Sequence, residues 1–515
     1  MLKPFTITLT GSGITLADVV QVARLSARVT LDEDARKRVT AARAVVDRLA
    51  RSDVPIYGVN TALGANTGKA IPTAELAAYQ ERAVQARAVG VGPRFTTDTV
   101  RAMMFARAAG MAVGGSGVSP AVLDALLALL NAGVHPVVPS KGSIGAADLA
   151  PLSHLALPLL GQGQAEFHGD VLAGGEALRR AGIAPIALAA KDGLALVSSN
   201  AATVGYAALV LTDCAAALDA LNIAAALSLE GFRANLSTLD ERALAARPAR
   251  GQRAITRRLA GLLEGSELWT RGVARRVQDP ISLRCITQVH GASIATLHLA
   301  RDDVELELNS ASESPLVVAE TEAIISNGNF HVAGLALAFD ACGLALAQAA
   351  MLCVERCQRL YSPAMSGLPL QLTTRGPEHS GFATLQKTLT SLYNEIRHLA
   401  NPASLDCLPV SEAVEDHASM AMNVVAKTAA MAPSLRFLAA IELLTAAQAI
   451  DLRALAPPTL GRGACAAYEA VRRRVPMLDE DRPLGPDVEA IESLIAGGGI
   501  GAVDLSERTD AEVQR

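Results

Sequence analysis

The chain has 515 residues, with 46 Lys and Arg against 51 Asp and Glu, for a formal net charge of -5. That balance, with no basic cluster, excludes a nucleic-acid footprint and an anionic membrane surface as main partners. Half the residues are hydrophobic but only 3% are aromatic, so alanine and leucine carry the apolar content, as in closely packed helices.

The opening stretch MLKPFTITLTGSGITLADVV lacks the long apolar core of a signal peptide. TLADVVQVARLSARVTL and DEDARKRVTAARAVVDRLA then carry apolar residues at three- and four-residue spacing. They predict two helices, N-capped by Thr15 and Asp32. The Gly-rich loops YGVNTALGANTG, VGGSGVS and SKGSIGAAD follow, and a hairpin is predicted near 164–174. None of these loops follows a strand in an alternating βαβ pattern, and GANTGKA lacks the P-loop spacing and its Ser/Thr, so nucleotide binding is not expected.

Long helical runs are predicted at about 204–230, 281–312, 329–361, 380–400 and 416–454, with a loop at 367–381 and a smaller helical tail after Pro457. Runs far longer than the ~11–12-residue mean pack side by side in bundles. Asp213, Asp219, Asp340 and Gln348 interrupt the apolar stretches, so no transmembrane helix is expected. The fold class is mainly α: a loop-rich N-terminal domain over 1–200, then a long up-down helical bundle with a helical tail over 201–515.

The seven cysteines are odd in number and scattered, and read as reduced thiols in helices of a cytoplasmic protein. Cys353 and Cys357 lie one turn apart, but nothing nearby completes a tetrahedral set, so no metal site is expected. His154, His331 and His417 fall in separate motifs without an H-E-x-x-H pattern, and read as satisfied buried histidines.

Seven motifs occur in a telling order: YGVNTALG (57–64), GSIGAADLAPLSH (142–154), GLALVSSNA (193–201), QDPISLRC (278–285), NSASESPLV (309–317), GNFH (328–331) and EDHASM (415–420). Over about 8–460 the chain resembles the histidine/phenylalanine/tyrosine ammonia-lyases. The resemblance implies a fumarase/aspartase-like helical architecture, a small-molecule substrate, and a homotetramer whose active sites draw loops from three subunits. Members of that family build an electrophile, methylidene-imidazolone, from an Ala-Ser-Gly triplet. This chain reads Gly145-Ala146-Ala147-Asp148-Leu149, one residue shorter and with no serine to dehydrate. No such prosthetic group, and no other cofactor, is therefore expected.

Further positions follow from the resemblance. Tyr57 matches the catalytic base, Arg284 the carboxylate-binding arginine, and Phe330 an aromatic near the substrate. Gln278 and Glu415 match polar site residues. Ser198 stands where the family has an asparagine assisting the electrophile, Ile281 where it has a tyrosine, and Arg87 where many members have a histidine. Lys387 falls on a helix position near the substrate ring. Ser198, Ser199 and Asn200 shape a loop or touch substrate. Each role has a plainer alternative. Tyr57 could be a structural loop residue, Arg284 or Arg87 an ion-pair partner, and Phe330 core. Lys387 could be a solvated helix lysine, and Glu415 a carboxylate at a helix start.

An elimination needs a base, a carboxylate clamp and a competent leaving group. A trimethylammonium group leaves as neutral trimethylamine and needs no covalent electrophile. It also lacks N–H donors, in keeping with Ile281 and Ser198. Glu415 can accept from ring N–H groups, and Lys387 can stabilise charge on a thione sulfur. The expected activity is a carbon–nitrogen lyase releasing trimethylamine from a histidine-derived betaine, ergothioneine first, to give thiolurocanate. Hercynine or another trimethylammonium betaine is the alternative substrate. An inactive homologue that binds a small molecule is the alternative outside catalysis.

Overall fold

A computed structural model describes residues 5–52, 54–64 and 69–500, so residues 65–68 of the first Gly-rich loop lie outside it. The chain divides into two compact units. The first comprises Met1–Leu211, Ala300–Leu337 and Ala403–Ala426, and the second Thr212–Leu299, Ala338–Pro402 and Lys427–Arg515. Both are discontinuous, where the sequence reading divides the chain once, after residue 200.

In the first unit the helix Thr97–Val113 is buried along nearly its whole length. It packs against Leu16–Ala23, Glu33–Leu49 and Pro120–Ala132. The amphipathic helices around it start where local chemistry dictates. Thr15 accepts from the Asp18 amide and the Asp18 carboxylate accepts from the Thr15 amide at 2.9 Å, a capping box. Asp32 accepts from the amides of Asp34 and Ala35. Strands are short. Thr6–Leu9 pairs in parallel with Arg28–Leu31, and Gln164–Phe167 pairs with Asp170–Ala173 as a hairpin, with Val134–Pro136 on its other edge. Arg107 and Glu313, each side chain 1% exposed, form an ion pair at 2.9 Å.

The second unit is almost entirely helical. It takes most of Ala201–Phe232 and Ala333–Tyr361, and parts of Ile286–Leu308 and Ala421–Leu452. Ala201–Phe232 shows almost no polar stripe because it is buried on every side. Polar groups set the helix register. Arg356 donates twice to Glu442 at 2.6 and 2.8 Å, and Ser228 donates to the same carboxylate at 2.7 Å. His290 Nδ1 meets Asn222 Oδ1 at 2.7 Å, and burial pushes its imidazole well below the ordinary histidine range. Arg462–Arg474 and Gly485–Ala496 make the tail.

Three helical stretches, Asp192–Phe232, Ala333–Tyr361 and Ala421–Leu452, are long and apolar enough to cross a membrane by length and composition. Their apolar windows are 94, 67 and 61% buried within the protein, and they carry the buried Asp219, Glu230, Arg356 and Glu442. Charges of this kind suit a protein core, where partners neutralise them.

The predicted helix over 281–312 is two helices, Ile281–Arg284 and Ile286–Leu308, because Cys285 leaves helical geometry at φ −107°, ψ 20°. The run predicted from 416 begins at Ala421.

Candidate active site

The loop 143–148 is held by its own short-range chemistry and by three other segments of the first unit. Gly145 has φ +77°, and a Cβ there would lie 2.4 Å from Ser419 Oγ, so glycine is required. Ser143 Oγ donates to Asp148 Oδ1 at 2.7 Å and accepts from the Gly145 amide at 3.1 Å. Thr203 adds its amide and hydroxyl to Asp148 at 2.6 and 2.8 Å. Burial raises the Asp148 carboxyl above the ordinary carboxylate range, while these hydrogen bonds pull it back down.

The second segment is 198–200. Ser199 O accepts from the Asp148 amide at 2.7 Å, Asn200 Nδ2 donates to Phe330 O, and Ser198 Oγ donates to Ser314 O at 3.4 Å. The third is 330–331: Phe330 O also accepts from the Ala147 amide at 3.3 Å, and Ala146 bridges His331. The fourth is 410–420. Met420 N donates to Ile144 O at 2.8 Å and Ser419 Oγ to Gly145 O at 2.9 Å. Val410 and Glu415 pair across a turn, and Ser411 Oγ donates to Glu415 at 3.1 Å.

The loop, the turn at 410–415 and residues 86–89 border a cavity of about 240 Å³. Its walls include Ala146 and Ala147, Ile144, Val89, and two charged side chains, Arg87 and Glu415. Arg87 donates to Ala83 O at 2.9 Å. Tyr57 is half-buried beside Leu63, Ala83 and Leu194, and its hydroxyl accepts from the Gly64 amide at 3.4 Å; it is not among the cavity walls. Gly58 makes that packing possible, since a Cβ there would meet Leu194 at 2.1 Å.

The first unit thus gathers Arg87, Glu415, Ser198, Asn200 and Phe330 around one loop, with Tyr57 in the same unit. The second unit holds the rest. Arg284 closes the short helix Ile281–Arg284, and its Nε is buried with no partner among the described residues. Gln278 is exposed and Ile281 is 63% exposed. Lys387 is exposed on the first turn of Leu385–Leu399.

Two expectations are corrected. Glu415 does not sit at a helix start: the helix begins at Ala421, and Glu415 belongs to the turn before it. His331 and His417 are not separate buried histidines. Their rings stack with centroids 5.0 Å apart, Nε2 to Nδ1 at 2.9 Å, and His417 is exposed. Both segments pair with the loop at 144–146, which draws the two rings together. Burial and the neighbouring His417 lower the His331 pKa. His154 is half-buried and accepts from the Gly90 amide at 3.1 Å. The sequence reading missed Asp148 as the loop's anchor; its only signal was the acid directly after the two alanines. Among the described residues, no group of three or more His, Cys, Asp or Glu is placed to hold a metal ion.

A mainly helical chain whose separated segments converge on one short loop beside a cavity narrows the class, and comparison with known proteins supplies the family. The family model described as aromatic amino acid lyase matches residues 14–473, and the chain belongs to that family. Histidine ammonia-lyase of Symbiobacterium thermophilum is 41% identical over 489 residues, covering 95% of this chain and 96% of that protein. The histidine ammonia-lyase of Myxococcus xanthus is 40% identical over 490 residues, with the same coverage. Among solved structures, ergothionase from Treponema denticola, in complex with desmethyl-ergothioneine sulfonic acid, superposes with a TM-score of 0.93 at 31% identity, covering 97% of this chain and all of that one. Tyrosine aminomutase from Streptomyces globisporus gives 0.91 at 32% identity, covering 96% of this chain and 97% of that one.

Proposed function

We propose that the chain is a carbon–nitrogen lyase that works without the family's cyclised electrophile and eliminates trimethylamine from a histidine-derived betaine, ergothioneine, to give thiolurocanate. The observation that carries this reading is the loop itself. Ala146 and Ala147 precede Asp148 directly, and neither has a hydroxyl to expel. The nearest serine, Ser143, spends its hydroxyl on Asp148 and the Gly145 amide. These residues do not fit the cyclised group. The likeness to Treponema ergothionase supports the betaine substrate.

In this mechanism Tyr57 takes the β-proton, the Cα–N bond breaks, its electron pair leaves with trimethylamine, and a carbon–carbon double bond forms. Arg284, whose Nε has no partner among the described residues, clamps the carboxylate through paired hydrogen bonds. Glu415 accepts from the ring N–H groups and Lys387 stabilises charge developing on sulfur. Gln278 and Phe330 border the substrate, and Ile281 faces the methyl groups. The protein works in the cytoplasm as a homotetramer with shared sites. Val277, Ile281, Leu405 and Leu408, 95, 63, 83 and 78% exposed in the single chain, are apolar surface that neighbouring subunits would cover.

The roughly 40% identity to histidine ammonia-lyases favours a second reading, elimination of ammonia from histidine. Purified protein incubated with ergothioneine, hercynine and histidine separates them. Growth of the conjugated thiolurocanate absorbance together with trimethylamine supports the proposal. Urocanate and ammonia from histidine, with ergothioneine untouched, would sink it.

A further inference from the structure

Ala147 stands where its backbone favours glycine. Its φ is +59°, in the left-handed region, where a Cβ meets the chain and only glycine is free of that cost. The loop's hydrogen bonds make no use of its side chain. They run from the Ala147 amide to Phe330 O, from Met420 N to Ile144 O, and from Ser419 Oγ to Gly145 O. Ala147 is nevertheless only 5% exposed and lines the cavity beside Ala146. A methyl that works against its own backbone gains most where it meets something in that cavity.

We propose that the Ala147 methyl is a specificity-determining contact. With Ala146 it forms the apolar wall that receives the N-methyl groups of a quaternary ammonium substrate. A primary ammonium turned toward the same wall would leave its N–H donors facing hydrocarbon, which is costly. The wall therefore selects for the alkylated nitrogen as much by rejecting the bare one as by holding the methyl groups. Ala147 moves no proton and is not catalytic. The inference rests on the betaine elimination proposed above.

The test is Ala147→Gly in the full chain, read by kcat/KM for ergothioneine, the inhibition constant of 2-thiohistidine (the same ring with a primary ammonium), and Tm. Loss of one methyl contact lowers kcat/KM for ergothioneine about fourfold. The inhibition constant of 2-thiohistidine stays level or falls, so discrimination narrows, and Tm rises as the left-handed strain is relieved. Equal changes with both ligands, or none, would overturn the assignment. A fall in Tm would also overturn it, since the methyl would then be packing against protein. A wild type inert toward every trimethylammonium betaine would defeat the functional reading and this inference together. An active wild type whose selectivity survives Ala147→Gly defeats this inference alone.

Discussion

Asp148 and Glu442 are both carboxylates with no exposed surface, one in each unit, and they are stabilised by different means. Glu442 is neutralised by the fully buried Arg356 and takes a third hydrogen bond from Ser228. Asp148 has no cation among its hydrogen-bond partners; two hydroxyls and two backbone amides supply its donors. The charge pair fixes how long helices register against each other. The neutral cage fixes the shape of a short loop without a counter-ion. The lesson is a division between two ways of holding a buried carboxylate: a counter-ion between bundle helices, and neutral donors in a short loop.

Mutations can break or sharpen that division. Tyr57→Phe should lower kcat/KM by ~10²–10⁴, the usual worth of a positioned base, with Tm unchanged. Comparable loss of stability would place Tyr57 on the structural side. Arg356→Met leaves Glu442 buried and uncompensated and should cost about 3–5 kcal/mol in denaturant unfolding. Adding Glu442→Leu should recover most of that loss, because removing the orphaned charge removes the penalty.

Lys191 is an intermediate case: a fully buried ammonium whose Nζ donates to Ser116 O at 2.6 Å. Burial is the largest influence on it and depresses its pKa from 10.5 to about 8. The folded state therefore releases this proton before the unfolded state does, and stability from this group rises with pH between about 8 and 10.5. The stability of wild type relative to Lys191→Met should climb by about 3 kcal/mol across that window in paired denaturant titrations. A flat difference would mean the ammonium is better compensated by Glu313 and Asp192 than its burial suggests.

Thr203→Val deletes one hydroxyl from the Asp148 cage and should cost about 1.5–3 kcal/mol, with kcat/KM falling as the loop loosens. Thr15→Ala, a helix cap remote from the loop, should cost about 1 kcal/mol and leave kcat/KM unaltered.

The residues that were legible in the sequence act locally. Thr15 and Asp32 cap helices because the amides they accept from lie two or three residues on. The hairpin at 164–173 forms from adjacent strands. The long runs read as helices, although Cys285 breaks one of them and the run into Ala421 starts late. The motifs named the site residues through resemblance, not through any local pattern.

What stayed hidden acts over distance. Thr203 meets Asp148 from 55 residues away and His417 meets His331 from 86, separations at which periodicity carries no information. The placement of Glu415 in a turn follows from Val410 and Ser411 and from the ties of Ser419 and Met420 to the loop.

The sequence by itself determined the helical class, the capped helix starts and the absence of a serine between Gly145 and Asp148, because composition and short-range hydrogen bonding depend only on neighbours. Only the tertiary structure decided that Arg87, Glu415 and the two alanines share one cavity, that two histidines stack, and that Ala147 carries its methyl on a left-handed backbone. Those facts depend on where segments far apart in the chain are brought to rest, and contacts across the fold set that.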